Sequence, residues 1–254
     1  MKLIRYCNNI KDNINYGRLD EKSGIIYELE RSYFDSFAKT GNTSTLEEVN
    51  LLSPVYPSKI VGVGLNYKDH AKEFGLSLPD EPMLFLKPST TVIDPGSSIV
   101  CPEASKRVDF EGELAIIIGN QVKGCDVDEA SKYILGYTCA NDITARDLQK
   151  KDSQWSRAKG FDTFLPLGPC IETEVNPGSL QLQTYVNGEE KQNSYTSEMV
   201  FDVYELVSFI SNIMTLESGD VIITGTPPGV GPLNKGDQVE VKIQDIGVLK
   251  NNVI

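Results

Sequence analysis

The amino-acid sequence predicts a strand-rich α+β fold built on a curled sheet or a β-roll. Apolar runs of strand length, some alternating and some continuous, recur along most of the chain. Helical patterns are short and lie irregularly between these runs, without the regular strand–helix alternation that marks a parallel α/β sheet. Together the two patterns favour a mixed sheet with a few inserted helices.

In the first half of the chain, strand patterns outnumber helical ones. A short helix is predicted over residues 43–54, where Pro54 closes the pattern, and a second over 68–75, where Gly75 is a suitable C-terminal stop. The predicted strands of this half lie at 24–30, 59–67, 83–88 and, as strand, turn and strand, 91–102.

The second half contains the strongest hairpin signal. Apolar and polar residues alternate over 180–195 on both sides of Asn187-Gly188, which predicts a two-stranded hairpin. An amphipathic helix is predicted over 201–215, and a shorter helix that opens with acidic residues over 127–134. Further strands are predicted at 108–119, 135–144, 220–232, where the strand runs into a Gly/Pro loop, and 237–254.

Length and proline placement predict one large domain with a small appendage. The chain has 254 residues, of which 40% are hydrophobic, and this is enough for one sizeable core. Two prolines in the segment SPVYPS, residues 53–58, mark a boundary. We therefore expect a small N-terminal domain over residues 1–55 and the main domain over residues 56–254.

The composition argues against several classes of partner. The net charge is −12 and the pI about 4.6, which is unfavourable for binding a nucleic-acid backbone. No apolar run is long enough to span a membrane, and the first residues lack the apolar core of a secretory signal. The five cysteines are scattered without a CxxC pair, which indicates reduced thiols in a cytoplasmic protein.

The segment VDFEGELAIIIG places acidic residues at every second position before an apolar run. On one continuous strand, Asp109, Glu111 and Glu113 would share a face. Like charges on one face repel each other, and a hard divalent cation with oxygen ligands removes that repulsion. A solvent-exposed strand face with alternating charges is the alternative interpretation.

Asp142 is the candidate for a third ligand. It follows another apolar strand pattern, in the segment YTCANDITARD, where a lone acidic residue is otherwise poorly placed. Mg²⁺, Mn²⁺ and Ca²⁺ all prefer oxygen ligands, and Mg²⁺ is often held by few carboxylates. The spacing therefore supports the hypothesis of a cation site formed by Glu111, Glu113 and Asp142.

His70 is the only histidine of the chain. In a helix it would share a face with Glu73, whose carboxylate would raise the basicity of the imidazole and fix its tautomer. Such a pair can activate a water molecule or move a proton. An ordinary pair of surface side chains is the alternative interpretation.

Six segments, in their order along the chain, resemble the fumarylacetoacetate hydrolase family. They are VGVGLNYKDHAKE, FLKPST, VDFEGELAIIIG, GYTCANDITARDLQ, AKGFDTFLPLGP and ITGTPPGVG. The resemblance covers about residues 59–248. It implies a mixed β-sandwich roll of the type found in the C-terminal domain of that family, usually assembled as a homodimer.

The same resemblance implies a metal centre. Mg²⁺ or Mn²⁺, with Ca²⁺ as a further candidate, would be bound by Glu111, Glu113 and Asp142. Asp109 is expected to orient these ligands.

Roles for the surrounding residues follow from the resemblance as well. His70 and Glu73 match a catalytic pair on the lid helix of the family, and Lys159 matches a lysine near the reacting carbonyl. Residues that bind substrate or border its pocket are implied at Arg146, Gln149, Thr226, Lys87 and Ser89.

The implied activity is metal-dependent hydrolysis of small acylpyruvate-type acids. A C–C bond would be cleaved through a chelated enolate, with His70 and Glu73 activating water. Isomerisation or decarboxylation of 2-hydroxy-dienoic diacids and decarboxylation of oxaloacetate are alternatives at the same centre. A non-catalytic, metal-dependent binding module is a hypothesis of a different class, and it predicts loss of His70, Glu73 or Lys159, all of which are present.

Two departures from the family pattern bear on the substrate. Leu65 stands where many relatives carry an arginine, so the distal group of a substrate would be held differently. The N-terminal region is also much shorter than in the larger fumarylacetoacetases, which argues against their own substrate.

Overall fold

The structure is a computed structural model that describes residues 1–8, 13–69 and 78–254. The strands of the N-terminal half are β1 (Lys2–Cys7), β2 (Ile14–Asp20), β3 (Ile25–Leu29), β4 (Lys39–Thr45), β5 (Asn50–Leu52), β6 (Ile60–Gly64), β7 (Met83–Lys87), β8 (Val92–Ile93), β9 (Ser98–Ile99) and β10 (Val108–Phe110). The strands of the C-terminal half are β11 (Gly112–Ile118), β12 (Ile134–Asn141), β13 (Thr144–Ala145), β14 (Leu165–Glu172), β15 (Gln181–Val186), β16 (Glu189–Tyr195), β17 (Val221–Ile223), β18 (Gly231–Pro232), β19 (Gln238–Ile243) and β20 (Gly247–Val253). The α-helices within these described ranges are α1 (Arg146–Lys151), α2 (Ser156–Lys159) and α3 (Val203–Ile213). Short 3₁₀ helices cover Leu46–Glu48, Ser89–Thr91, Val127–Tyr133, Pro177–Ser179 and Thr196–Glu198.

Most strands join one large mixed sheet. Its order is β4-β3-β2-β1-β14-β12-β11-β17-β6-β7, with β5 beside β1 and β8 beside β14. The pairs β17–β6 and β14–β8 are parallel, whereas the other pairs of this sheet are antiparallel. A second sheet has the order β16-β15-β19-β20-β9, and a small third sheet the order β13-β10-β18. The predicted strand-rich α+β fold is confirmed.

Strand β11 runs through the centre of the protein because both faces of the large sheet are covered. Leu114, Ile116 and Ile118 face a core shared with α3 and the second sheet, whereas Ala115 and Ile117 face a core shared with β1. Burial of each isoleucine side chain contributes about 1.5–3 kcal/mol. This continuous apolar run anchors the strand whose first residues are acidic.

Helix α3 forms as the sequence predicts. The Asp202 carboxylate accepts the N–H groups of Tyr204 and Glu205 at 2.8 and 2.9 Å, and the Glu205 carboxylate accepts the N–H of Asp202 at 2.7 Å. This reciprocal cap satisfies donors that the first helical turn leaves free. The apolar stripe that packs into the core consists of Val203, Leu206, Val207 and Ile210.

The predicted hairpin over 180–195 is confirmed as well. β15 and β16 pair in antiparallel register around Asn187 and Gly188. Both turn residues have positive φ, 52° and 81°, which is the backbone conformation that an Asn-Gly hairpin turn requires.

The helix predicted over 43–54 is wrong. β4 extends to Thr45, one 3₁₀ turn follows, and β5 begins at Asn50. The Glu48 carboxylate accepts the N–H of Thr45 at 2.9 Å, which closes a single turn, and Val49 then returns to an extended conformation. The pairing of β5 with β1 takes the residues that would have continued a helix.

Two further helix predictions have different outcomes. Residues 127–134 form a 3₁₀ helix, Val127–Tyr133, rather than an α-helix. Of the helix predicted over 68–75, residues 70–75 lie outside the described residues.

The acidic strand predicted over 108–119 is interrupted at Glu111. β10 pairs with β13 and β18, whereas β11 pairs with β12 and β17. Because the two segments belong to different sheets, the expected single strand face carrying Asp109, Glu111 and Glu113 is wrong. Glu111 occupies the break, and only Glu113 lies on β11.

The N-terminal strands extend the large sheet. β1 pairs with β14 as well as with β2 and β5. Leu3, Tyr33 and Val55 share a core with Ile60 and Ala115. The division into domains at residue 55 stays a prediction.

Two further observations concern the whole described chain. No helix of residues 1–8, 13–69 and 78–254 is long and apolar enough to cross a membrane. The five cysteines are free thiols.

Candidate metal centre and active site

Three buried carboxylates converge where β11 begins and β12 ends. Gly112 lies opposite Asn141 in the β11–β12 ladder, so Glu111 and Asp142, the next residues outward, are neighbours. The N–H of Asp142 donates to the carbonyl of Glu111 at 2.8 Å. One carboxylate oxygen from each of Glu111, Glu113 and Asp142 lies within 4.8 Å of the others. These three residues are called the carboxylate cluster.

Glu113 is the least compensated member of the carboxylate cluster. Its Oε2 accepts the backbone N–H of Gly225 at 2.7 Å, and it forms no ion pair with any residue that the structure describes. Burial raises the pKa of Glu113 well above its ordinary value, and repulsion from Asp142 and Glu111 raises it further. The cluster therefore lacks counter-charge at this member.

Two lysines and one arginine neutralise the other two carboxylates. Lys159 Nζ donates to Glu111 Oε2 at 2.8 Å and also to Asp142. Lys87 Nζ donates to Asp142 Oδ1 at 2.7 Å, and Arg146 Nη2 donates to Glu111. Both lysines are 2% exposed, so removing one partner would leave a buried charge unpaired.

These ion pairs determine the protonation of the site. Burial disfavours the carboxylate form of Glu111, but Lys159 and Arg146 lower its pKa to about 2. Burial also lowers the pKa of Lys159, whereas Asp142 and Glu111 raise it above its ordinary value overall. Near neutral pH, Glu111 is a carboxylate and Lys159 is an ammonium group.

Asp109 lies beside the carboxylate cluster and is held by arginines. Its Oδ1 accepts Arg107 Nε at 2.8 Å, and its Oδ2 accepts Arg107 Nη2 at 3.1 Å and Arg146 Nε at 2.9 Å. Arg146 Nη1 also donates to Gln149 Oε1 at 2.5 Å. Asp109 thus fixes the direction of Arg146, through which it acts on Glu111.

The carboxylate cluster fits a divalent cation. Its donors are hard oxygens, they are buried, and their mutual distances suit one ion. The shortage of counter-charge at Glu113 is what such an ion would remove. Glu111, Glu113 and Asp142 are therefore the residues that would hold Mg²⁺ or Mn²⁺.

A cavity of 240 Å³ opens over the carboxylate cluster. At about 30 Å³ per water molecule, this is room for a small organic acid. The described lining residues are Val63, Gly64, Leu65, Phe85, Glu111, Glu113, Asp142, Arg146, Gln149, Lys150, Trp155, Lys159 and Thr226. A larger groove of 670 Å³ near Met1 and Glu172 contains none of these residues.

The structure brings most of the predicted site residues together. Gln149 and Thr226 line the cavity, and Lys87 lies buried against Asp142. Ser89 begins a 3₁₀ turn and is absent from the described lining.

The predicted catalytic pair, His70 and Glu73, lies outside the described residues.

Gln192 and Asn66 support the site, and sequence reasoning missed both. Gln192 Nε2 donates to Thr226 Oγ1 at 2.8 Å, and its Oε1 accepts the N–H of Gly112 at 3.0 Å. Asn66 Nδ2 donates to the carbonyl of Thr224 at 2.8 Å. The only sequence feature that could have pointed to Gln192 was its inward-facing position in the predicted hairpin.

A strand-rich sandwich with buried carboxylates beneath a small cavity defines a protein suited to metal-assisted chemistry on small molecules. Residues 59–254 match the family described as fumarylacetoacetate (FAA) hydrolase C-terminal, and residues 1–54 match a family described as Rv2993c-like, N-terminal. The chain belongs to the fumarylacetoacetate hydrolase family and is an enzyme of that family.

Three similar proteins illustrate the relationship. An uncharacterized protein of Archaeoglobus fulgidus is 56% identical over 82% of this chain and 84% of its own length. Mitochondrial oxaloacetate tautomerase Fahd2a of Rattus norvegicus is 41% identical over 82% of this chain and 70% of its own. The crystal structure of 5-carboxymethyl-2-hydroxymuconate delta-isomerase from Mycobacterium smegmatis is 42% identical, with a TM-score of 0.93 and coverage of 100% of this chain and 99% of that chain.

Proposed function

We propose that this protein is a divalent-cation-dependent isomerase that transfers a proton between the enol and keto forms of a small 2-oxo acid. The observation that carries the proposal is the carboxylate cluster at the floor of a cavity sized for a small acid. The named activities of the rat tautomerase and the mycobacterial isomerase support isomerisation over hydrolysis.

The residues of the cavity supply binding and charge stabilisation in this proposal. Glu111, Glu113 and Asp142 would hold the cation, which would supply Lewis-acid polarisation of the 2-oxo group. Arg146, Gln149 and Thr226 present donors to the carboxylate and carbonyl oxygens of the substrate. The ammonium group of Lys159 stabilises the negative charge that develops on the enolate oxygen, in a site that is shielded from water.

We assign the proton transfer to His70 and Glu73. The imidazole removes a proton from the carbon or oxygen that loses it and returns it at the other end, while Glu73 maintains its basicity. The assignment rests on the family resemblance. His70→Ala is expected to lower kcat at least ~100-fold and to leave cation binding intact, and unchanged turnover would eliminate this base.

Hydrolysis of acylpyruvates is the rival reaction at the same centre. It would use the same charge stabilisation, with the His70–Glu73 pair activating a water molecule for attack on the distal carbonyl. Decarboxylation of oxaloacetate would need only the enolate stabilisation. None of the three relatives described above is named as a hydrolase or a decarboxylase.

The test is a panel of oxaloacetate, 2-hydroxy-dienoates and acylpyruvates, each assayed with Mg²⁺ and then with EDTA. We expect Mg²⁺-dependent loss of the enol absorbance of the hydroxy acids, no release of carboxylic-acid fragments or CO₂, and no reaction in EDTA. Faster release of pyruvate from acylpyruvates than any isomerisation would instead identify a hydrolase.

We further propose that the enzyme is a cytoplasmic homodimer. The proposal is supported by the family resemblance and by the free thiols of the chain. Light scattering of the purified protein tests the assembly, and a monomeric mass would contradict it.

A further inference from the structure

The amide of Gln192 reaches the site from outside the cavity. Gln192 lies on β16 of the second sheet, is 1% exposed, and is absent from the described lining of the cavity. Its Oε1 accepts the N–H of Gly112 at 3.0 Å, and its Nε2 donates to Thr226 Oγ1 and to the carbonyl of Pro227, both at 2.8 Å. The side chain therefore contacts the residue between two members of the carboxylate cluster and a hydroxyl that lines the cavity.

The partners of Gln192 determine which way its amide points. The N–H of Gly112 can only donate and the carbonyl of Pro227 can only accept, so a flipped amide would lose both bonds. Both hydrogens of Nε2 are then committed, one to Pro227 and one to Thr226. Thr226 Oγ1 therefore accepts from Nε2, and its single proton is donated to the carbonyl of Gly112 at 2.9 Å.

Gly112 depends on these side chains because its strand partner stops short. β17 pairs with β11 only as far as Ile223, and the same register continued would place Thr226 opposite Gly112. The Gln192 amide and the Thr226 hydroxyl bond the backbone groups of Gly112 that a longer β17 would have bonded. A Cβ at Gly112 would lie 2.1 Å from Thr184 Oγ1, so a residue without a side chain is needed for the second sheet to approach this closely.

The Thr226 hydroxyl has a choice of acceptor. Because Thr226 lines the cavity, an oxygen of a bound acid can take its proton in place of the Gly112 carbonyl. The N–H of Gln192 stays on Oγ1 in both arrangements. A hydroxyl that already accepts a hydrogen bond is a stronger donor, because hydrogen bonds in a chain polarise one another. Without Gln192, the same hydroxyl would be a weaker donor and its direction would not be fixed.

We propose that Gln192 is a positioning residue, which polarises the Thr226 hydroxyl and directs it to a bound acid, and that its effect on the reaction passes through Thr226 alone. The inference rests on the proposed function, in which Thr226 donates to the substrate. Each glutamate of the carboxylate cluster keeps its own partners when Gln192 is changed. Loss of the Gln192 amide is therefore expected to weaken acid binding and to leave cation binding intact.

Gln192→Met tests this role, with Gln183→Met as the matched control. Methionine is similar in size to glutamine but has no amide. Gln183 lies on the adjacent strand β15, donates to the exposed Glu190 at 2.8 Å, and is absent from the described lining of the cavity. The probe is oxalate, which presents the adjacent oxygens of a 2-oxo acid. Calorimetric titration in saturating Mg²⁺ should give an oxalate Kd about tenfold higher for Gln192→Met and unchanged for Gln183→Met. A wild-type Kd in Gln192→Met would overturn the proposal.

Titration with Mg²⁺ alone separates positioning of the hydroxyl from general support of the site. The Kd for Mg²⁺ in Gln192→Met should stay within about twofold of the wild-type value. A loss of about tenfold or more is the size expected for a residue that orients cation ligands. That result would overturn the proposal, because Gln192 would then act through Gly112 and the carboxylate cluster.

A double-mutant cycle with Thr226→Val tests the route. Thr226→Val removes the hydroxyl and should raise the oxalate Kd about tenfold. If Gln192 acts through this hydroxyl, adding Gln192→Met should raise the Kd by no more than about a further twofold. Independent effects, which would give about a hundredfold rise in the double variant, would overturn the assignment.

Gln192→Glu keeps the shape and the bond to Gly112, and it tests the role if Gln192→Met does not fold. Its carboxyl group can donate to Thr226 while protonated but not once ionised, and burial beside the carboxylate cluster keeps it protonated to a higher pH. Oxalate binding relative to the wild type should therefore weaken as the pH rises. Binding equal to the wild type from about pH 6 to about pH 9 would overturn the proposal.

Steady-state kinetics separate this inference from the proposed function. With enol oxaloacetate and Mg²⁺, Gln192→Met should raise KM about tenfold and lower kcat less than about threefold, the pattern of a lost binding contact. A fall in kcat without a rise in KM would overturn the inference. Absence of isomerase turnover in the wild type, together with the expected oxalate results, would overturn the proposed function and support the inference.

Discussion

Two buried carboxylates on consecutive strands of different sheets, Asp109 on β10 and Glu113 on β11, have opposite surroundings. Asp109 is fully buried and accepts N–H groups from Arg107 and Arg146. Glu113 is 2% exposed, accepts one N–H from Gly225, and forms no ion pair with the described residues. The comparison indicates that burial alone does not identify a carboxylate that binds a cation. The distinguishing feature of Glu113 is that it is buried without a positively charged partner among the described residues.

The largest expected effect comes from Glu113→Gln. Glutamine keeps the shape and can still accept the N–H of Gly225, but it removes the repulsion from Asp142 and Glu111. We expect Mg²⁺-dependent kcat/KM to fall about a thousandfold. The melting temperature of the metal-free protein should stay the same or rise. A variant with normal activity would break the comparison.

Asp109→Asn is expected to lower stability and to leave cation binding intact, the opposite of Glu113→Gln. The change removes one of the two carboxylates that pair with Arg146, together with the buried partner of Arg107, and is expected to lower the free energy of unfolding by about 3 kcal/mol. Chemical denaturation measures this effect. Cation binding should persist, since Asp109 is not part of the carboxylate cluster. Loss of cation binding with full stability would contradict the assignment.

Mg²⁺ is expected to raise the stability of the wild-type protein, and this rise should depend on Glu113 but not on Asp109. At a free concentration about 100 times its Kd, a ligand that binds only the native state adds about 2.7 kcal/mol. Scanning calorimetry should show a higher Tm with Mg²⁺ and a return to the lower value with EDTA. The increase should disappear in Glu113→Gln and remain in Asp109→Asn.

The smallest effect is expected for Arg107→Ala. The Arg107 side chain is 49% exposed, so water screens its pair with Asp109, and Arg146 still contacts Asp109. We expect a loss of about 1 kcal/mol in unfolding free energy. A loss as large as that of Asp109→Asn would show that Arg107, not Arg146, stabilises the buried aspartate.

Local sequence patterns were sufficient where one period dominates. The alternation around Asn187 and Gly188 gave the hairpin, and the apolar spacing over 201–215 gave α3. The helix predicted over 43–54 was wrong because this segment pairs with β1 as a strand. The sequence of residues 43–54 does not contain β1, so a local pattern cannot predict that pairing.

The carboxylate cluster could be predicted because its acidic residues directly precede or follow apolar strand patterns, where charged side chains are uncommon. The break at Glu111 was not, since it follows from pairing of β10 with strands outside the large sheet. The positions of Gln192 and Trp155 at the site could not be predicted from local patterns either. Their contacts join residues far apart in sequence, Gln192 with Thr226 and Trp155 with Phe85.

The backbone N–H of Lys159 donates to the carbonyl of Trp155 at 2.9 Å. Trp155, which lines the cavity, and the ammonium group at the carboxylate cluster therefore belong to one helical turn, joined through main-chain atoms. Because Trp155 lines the cavity, a change of its side chain is expected to alter which acids bind without displacing the Lys159 backbone. An insertion or deletion within this turn would shift both at once, so divergence of substrate range in such a scaffold is expected to proceed by substitution rather than by change of loop length.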